Sequence, residues 1–263
     1  MKNILEQIVE TKKAEVLELK KRVSEVSLRQ QPFFSRTTLS LKQRLQAEDS
    51  SGIIAEFKQK SPSKGEINPA AKVGEITRGY TEAGAAGLSV LTDTQYFGGS
   101  LDNLLKARGV NPATPILRKD FIIDEIQLVE AKAFGADVVL LIAACLEKEE
   151  VHHLAEKAKT LGLEVLLEIH DESELEKISP LVDLVGVNNR NLKTFEVNIE
   201  TSLRLAPLIP EQFLKISESG LANAETVLRL KSAGFRGFLI GETFMKTSDP
   251  VQACAGFIQS LQK

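Results

Sequence analysis

The chain has 263 residues, 43% of them hydrophobic and 26% charged, with a formal net charge of −3. That length admits one large domain of ordinary globular composition, and the weak negative charge leaves no electrostatic footprint for nucleic acid. Its two cysteines make neither a disulfide framework nor a metal cluster, and no stretch reads as a signal peptide or a membrane span, so a reducing cytoplasmic location is the expectation.

Ile4, Leu5, Ile8, Val9, Val16, Leu17 and Leu19 recur at helical spacing with charged residues between them. This predicts a solvated surface helix packed on the main body, with the Lys-Lys-Arg at 20–22 on its wet face. A shorter helical stretch, LSLKQRLQAE, follows a turn-rich gap. From residue 53 short apolar runs alternate with longer amphipathic segments. The strand candidates are IIAEFK from Ile53, GLSVLT (87–92), PILRKD (115–120) and DVVLLIA (137–143), then EVLLEI (164–169), DLVGVNN (183–189), LKISES (214–219) and GFLIGE (237–242).

Between them, DESELEKI predicts a helix opened by a capping box, with Asp171 as the cap and Glu174 three residues on. DEIQLVEAKAFG and ANAETVLRLKSAG end in Gly135 and Gly234, residues that tolerate positive φ where a helix stops. Strand–helix alternation without a long linker predicts parallel strands joined by crossovers. Eight such units predict a closed (β/α)8 TIM barrel: a single domain over residues 1–263, of which 1–50 form an N-terminal helical extension. The structural competitor is an open doubly wound sheet. It usually carries a Gly-rich fingerprint after its first strand, and KQKSPSKGEINP is not one.

Side chains alternate along a strand, so Ile54, Glu56 and Lys58 share one face while Ile53, Ala55 and Phe57 share the other. If the apolar set packs under helices, the charged pair points into the barrel mouth. Burying ionised groups is costly, which implies chemistry there. Other strands repeat the theme: PILRKD carries Lys119 near its end, EVLLEI carries Glu168, VGVNNRN ends in Asn188, Asn189 and Arg190, and ISESG ends in Glu218 and Ser219. Catalytic residues of this fold come from the C-terminal ends of several strands. Lysines and carboxylates gathered at one mouth shift each other's pKa and serve as acids and bases. The neighbouring lysines are expected to hold Glu168 ionised against desolvation.

SESGLANAETVLRL and FLIGETFMKTSDP each run strand, glycine, helix, the second through a short helical turn to a final helix from about Asp249. Barrel phosphate sites are often built from these last two loops. Gly220 and Gly241 would let backbone N–H groups approach an anion at helix N-termini. Glu242 would fit there only through its backbone.

His152 and His153 lie on a charged helix and read as solvated. His170 can reach the mouth, but LEIHD offers no second ligand at metal spacing. Cys145 reads as a small hydrophobe.

Six motifs in order, IIAEFKQKSPSKG, ILRKDFI, LLEIHD, VGVNNRNL, ISESG and LIGETFM, resemble indole-3-glycerol phosphate synthase, over nearly the whole chain. The resemblance implies a (β/α)8 barrel of tryptophan biosynthesis. It implies closure of 1-(o-carboxyphenylamino)-1-deoxyribulose 5-phosphate into indole-3-glycerol phosphate with release of CO2 and water, without a cofactor or metal. By the same resemblance Lys119 is the general acid at the ketone oxygen, Glu168 the acid/base partner of later steps, and Lys58 a contact to the substrate's anionic groups that helps dehydration. Glu56, Asn188 and Glu218 form a supporting polar shell, with Arg190 a loop cation beside it. Ser61, Ser219, Gly220 and Gly241 resemble anion and phosphate contacts, with Glu242 adjoining them, while Phe97 and Phe121 resemble walls for the anthranilate ring. The implied partner is a small phosphorylated substrate. Oligomeric state stays open, a monomer being the simplest expectation.

Competing functions are a phosphoribosyl isomerase, a Schiff-base lyase and a phosphate-ligand binding protein. The first leans on an Asp or Cys acid/base pair that these strand ends do not offer. The second would use Lys119 as nucleophile. The third would not need Lys58, Lys119 and Glu168 together.

Overall fold

The computed structural model describes residues 3–192 and 194–262. Among them, eight parallel strands close into a barrel: β1 (Ile53–Phe57), β2 (Gly87–Leu91), β3 (Ile116–Lys119), β4 (Val138–Ile142), β5 (Glu164–Ile169), β6 (Leu184–Asn188), β7 (Leu214–Glu218) and β8 (Phe235–Ile240). Each pairs with its neighbours in sequence, and β8 returns to β1 with Ile54 opposite Leu239. Crossover helices include α4 (Val73–Glu82), α5 (Leu101–Val110), α6 (Glu125–Ala133), α7 (Lys148–Thr160), α8 (Glu200–Leu205) and α9 (Ala224–Ser232). The short α10 (Glu242–Met245) and the final α11 (Pro250–Ser260) follow β8, the latter capped by Asp249. The expected C-terminal glycines lie just past α6 and α9, with φ of 92° at Gly135 and 93° at Gly234.

The alternation of side chains divides the core in two. Ile53, Ala55 and Phe57 face outward into the shell under the helices. Ile54, Leu117, Leu140, Leu166 and Ile216 face inward and fill the barrel axis. Each inward row that carries a site residue runs from apolar to polar along the strand: Ile54 then Glu56, Leu117 then Lys119, Leu166 then Glu168, Ile216 then Glu218. The polar ends meet at one mouth because the strands are parallel.

The other end is closed by α3 (Leu41–Gln46), whose Leu41 and Leu45 belong to the axial core. Glu164, at the start of β5, fixes the N-terminus of this helix. It accepts from the N–H groups of Leu41 at 2.8 Å and Lys42 at 3.1 Å and from the Ser40 hydroxyl. A carboxylate there also complements the helix dipole.

Three expectations change. DESELEKI forms a 3-10 helix, Glu172–Lys177, rather than an α-helix. Asp171 does cap it, accepting from the Ser173 N–H. No capping box forms, because Glu174 turns back to accept from the His170 N–H at 2.7 Å. The SPSKG loop holds an unforeseen hairpin of Lys60–Ser61 with Gly65–Glu66. The first helix, α1 (Ile4–Arg22), is more than a solvated surface helix. Its Lys12 is buried between Asp93 at 3.1 Å and Asp120 at 3.0 Å, the latter just past β3. Burial opposes that charge, but Asp120, Glu15 and Asp93 outweigh it and raise Lys12 above the usual lysine range. Among the described residues no helix is long and apolar enough to cross a membrane.

Candidate active site

The polar ends of the inward rows line a cleft that opens to solvent. Glu56, Lys58, Lys119, Glu168, Asn188 and Glu218 form its floor, and Ile4, Leu5 and Ile8 of α1 contribute apolar wall. Phe97 and Phe121 stand together in that wall, ring centroids 5.9 Å apart. A second lobe shares Glu56, Lys58, Arg190, Ser219 and Glu242 with the first and continues to Gly220, Gly241, Lys64 and Lys246. The site therefore has an apolar end fit for an aromatic ring and a polar end edged with cations.

Lys119 occupies the centre. Its Nζ donates to Glu168 Oε2 at 2.9 Å and lies 3.5 Å from Glu218 Oε2. Burial alone would depress this ammonium, but Glu168, Glu218 and Glu56 outweigh it and raise its pKa above the ordinary value. The same contact works in reverse on Glu168. Burial favours its neutral form, yet Lys119 and His170 hold the carboxyl well below the usual carboxylate range. Glu168 is thus ionised, as expected, but the second cation is His170 and not a second lysine. Lys58 instead pairs with Glu56 at 2.9 Å, and Glu56 accepts from the Ser89 hydroxyl at 3.2 Å. Glu218 is the opposite case: burial, together with the negative neighbours Glu168 and Glu56, pushes it up to about 8 against the pull of Lys119. Glu218 thus holds a proton more tightly than an ordinary carboxyl, the opposite tendency to Glu168 on the other side of the same ammonium.

The structure brings the remaining expected residues to this mouth. Asn188 donates to Glu168 Oε1 at 3.2 Å and accepts from the Arg190 N–H at 3.0 Å. Ser61 is buried, and its hydroxyl has no partner. Ser219 lies in the left-handed region at φ 67°, which is unusual for a residue with a Cβ. Gly220 follows at φ 77°. A Cβ at Gly220 would lie 2.5 Å from Val197, and one at Gly241 would lie 2.5 Å from Glu56. Both glycines are therefore required by close approach. Glu242 departs from the backbone-only expectation, since its side chain lines both lobes and reaches Arg190 at 3.5 Å and Lys64 at 4.0 Å. Asn189 points outward and serves structure, donating to Ser217 and to the Ser219 carbonyl, both at 3.0 Å. His152 and His153 are exposed on α7, and Cys145 is kept a thiol by burial, which pushes it up to about 12.

The family model of indole-3-glycerol phosphate synthase matches residues 5–257. Indole-3-glycerol phosphate synthase of Bacteroides thetaiotaomicron is 50% identical over 262 residues, covering 100% of both chains. The Laribacter hongkongensis protein of the same name is 43% identical, covering 97% of this chain and 98% of its own.

The chain belongs to the indole-3-glycerol phosphate synthase family.

It is accordingly a ring-closing, decarboxylating carbon–carbon lyase of tryptophan biosynthesis. Among solved structures, 3-hexulose-6-phosphate synthase from Salmonella typhimurium matches with TM-score 0.64 at 12% identity, over 80% of this chain and 98% of that one. At that identity the likeness shows the barrel alone.

In this member of the synthase family, several site residues escaped the local sequence patterns. Lys12 and the apolar Ile4, Leu5 and Ile8 come from a helix that reads as surface-bound. Asp120 accepts from the Phe121 N–H at 2.8 Å and pairs with Arg118 and Lys12. Burial would raise Asp120, but these two cations draw it down to about 2. This outward network ties the residue after Lys119 to α1. At the edge of the second lobe, Lys64 lies inside the first motif without standing out in it, and Lys246 lies one residue past the last.

Proposed function

We propose that Lys119 is the general acid of ring closure, Glu168 the base of the later steps, and Lys58 with Glu56 the pair that assists dehydration. The observation that carries this reading is the Lys119 ammonium suspended between Glu168 and Glu218 at the barrel axis. A buried ammonium beside carboxylates keeps its proton until charge develops nearby, the behaviour a general acid needs.

The ring carbon bearing the carboxylate attacks the ketone carbon of the substrate. A carbon–carbon bond forms, the carbonyl π pair moves to oxygen, and that oxygen takes the Lys119 proton. The ring nitrogen becomes an iminium, which accepts the electron pair when the bond to CO2 breaks. Dehydration then removes the new hydroxyl with a proton from an acid, Lys58, while a base takes a proton from the adjacent methylene. Summed over the steps, the ring carboxylate leaves as CO2 and the ketone oxygen as water, a carbon–carbon bond and the indole double bond form, and one proton is consumed from solvent per turnover.

The anthranilate ring would lie against Phe97 and Phe121. The phosphate would lie in the second lobe against Ser219, Gly220, Gly241 and the Glu242 backbone, with Ser61 and Arg190 contacting anionic groups between. The N-terminal extension acts within the same single domain at both ends of the barrel, α1 walling the mouth and α3 closing the opposite end. The setting proposed is the cytoplasm, with the phosphorylated substrate as the partner and no cofactor.

The test is Glu168→Gln, which keeps shape and hydrogen bonding but cannot exchange a proton at neutral pH. Rapid-quench analysis with carboxylate-labelled substrate should show CO2 released while indole formation falls by about 10²-fold or more. Loss of both together would mean that Glu168 acts in ring closure, and its role would have to be redrawn.

A further inference from the structure

We propose that His170 is a positioning residue of this site: an imidazolium clamped between Glu168 and Glu174 that keeps Glu168 charged and correctly turned. The inference rests on the catalytic role given to Glu168 above.

His170 is the first residue beyond β5, on the same inward face as Leu166 and Glu168. Its Nε2 lies 3.3 Å from Glu168 Oε1 and its Nδ1 lies 3.5 Å from Glu174 Oε2. Both ring nitrogens are buried, and neither has a closer, well-aligned hydrogen-bond partner. A neutral imidazole has one N–H and one lone pair, so one of the two carboxylates would face a lone pair. Only the imidazolium presents an N–H to each.

Glu174 is held for this purpose. The same oxygen accepts from the His170 backbone N–H at 2.7 Å, the bond that replaces the expected capping box. The groups around the ring agree on the sign. Glu168 on β5 and Glu174 and Asp171 on the following turn are acidic. Cys145, beside Glu168 and Glu174, is kept uncharged by burial, and Lys177, a cation near Cys145, donates to the carbonyls of Ala143 and Leu146. Lys119 is the opposing cation, on the far oxygen of Glu168. Burial works against the imidazolium, but Glu168 and Glu174 prevail and raise His170 to about 10.

Glu168 therefore carries Lys119 on one oxygen and His170 with Asn188 on the other. When Lys119 surrenders its proton, Glu168 loses one cation and keeps the second. Its affinity for a proton rises in a limited step, and its plane stays fixed by the ring.

Two measurements on the full chain test this. Imidazole ¹⁵N NMR, with the His170 signals assigned by their loss in His170→Gln, should show this ring still protonated at pH 8. Glu174→Gln should lower its midpoint by about one unit or more. In steady-state kinetics, His170→Gln should move the acid limb of kcat to higher pH by about one unit, with a smaller loss on the plateau. A purely structural role would lower kcat equally at all pH values. A ring that is neutral at pH 7 in the free protein overturns the proposal whatever Glu168 does. A protonated ring with an unmoved acid limb overturns it through the reading of Glu168 as a catalytic base.

Discussion

At the closed end of the barrel, Asp137 accepts from the N–H groups of Leu39 and Ile116, both at 2.8 Å, and pairs with Arg36 and Arg108. At the open end, Glu218 is buried as deeply, but its Oε1 has no partner and its Oε2 lies 3.5 Å from the Lys119 it shares with Glu168. The closed end saturates its carboxylates with backbone donors and arginine forks; Arg36 Nε is the orphan there. The open end leaves atoms of Glu218, Ser61 and His170 short of hydrogen bonds. Buried polar groups that are satisfied rigidify a fold, and buried groups left unsatisfied cost stability unless something else needs them. The same residue types thus build a foundation at one end and a reactive site at the other, and the difference is the supply of donors.

The largest effect should come from Lys119→Ala, which removes the acid and its ion pair to Glu168 but no contact to the backbone. Turnover should fall by about 10²- to 10⁴-fold, with substrate binding largely kept and thermal melting close to wild type. Near wild-type turnover would sink the assignment, and early melting would erase the contrast between the two ends.

Asp137→Asn should do the reverse. Leaving buried arginines without their carboxylate should cost about 3–5 kcal/mol in denaturant unfolding. The kcat of the folded fraction should stay within a factor of about two.

Glu218→Gln sharpens the contrast through pH. A carboxyl raised to about 8 in the fold holds its proton between its unfolded value and about 8, where the unfolded chain has released it. Its contribution to stability therefore falls as pH rises through that window. The neutral Gln escapes this loss. The variant should gain on wild type in urea midpoints measured from pH 5 to pH 8, and a constant gap across that range would contradict the raised pKa.

The smallest effect is expected at Glu242. Glu242→Gln frees Arg190 and Lys64 from a partly exposed carboxylate. Competition by inorganic phosphate should strengthen about two- to fivefold, the scale of an exposed ion pair. Unchanged competition would separate the second lobe from phosphate binding.

The barrel was legible because its signal is local. A period of two within strands and a polar residue at the ends of several strands are written in neighbouring positions, and Glu56, Lys119, Glu168 and Glu218 followed from them. Lys12 was not legible, since its partners Asp93 and Asp120 lie far along the chain and nothing around it departs from a wet helix face. The closure of the barrel floor by Leu41 and Leu45 was hidden for the same reason. His170 drew attention only as a possible metal ligand, because its second carboxylate, Glu174, matched a helix-capping pattern. One side chain satisfied two local rules, and the tertiary contact chose between them.

Gly186 sits on β6 between Leu184 and Asn188, and a Cβ there would come within 2.4 Å of Glu218 Oε1. This couples the two positions sterically. Alanine at 186 would push the Glu218 carboxyl, the far end of a flexible side chain, away from its place beside Lys119. Combined in one chain, Gly186→Ala and Glu218→Ser should be less harmful than the sum of the single changes. Position 186, which carries no side chain of its own, thereby sets where the carboxyl beside it can stand.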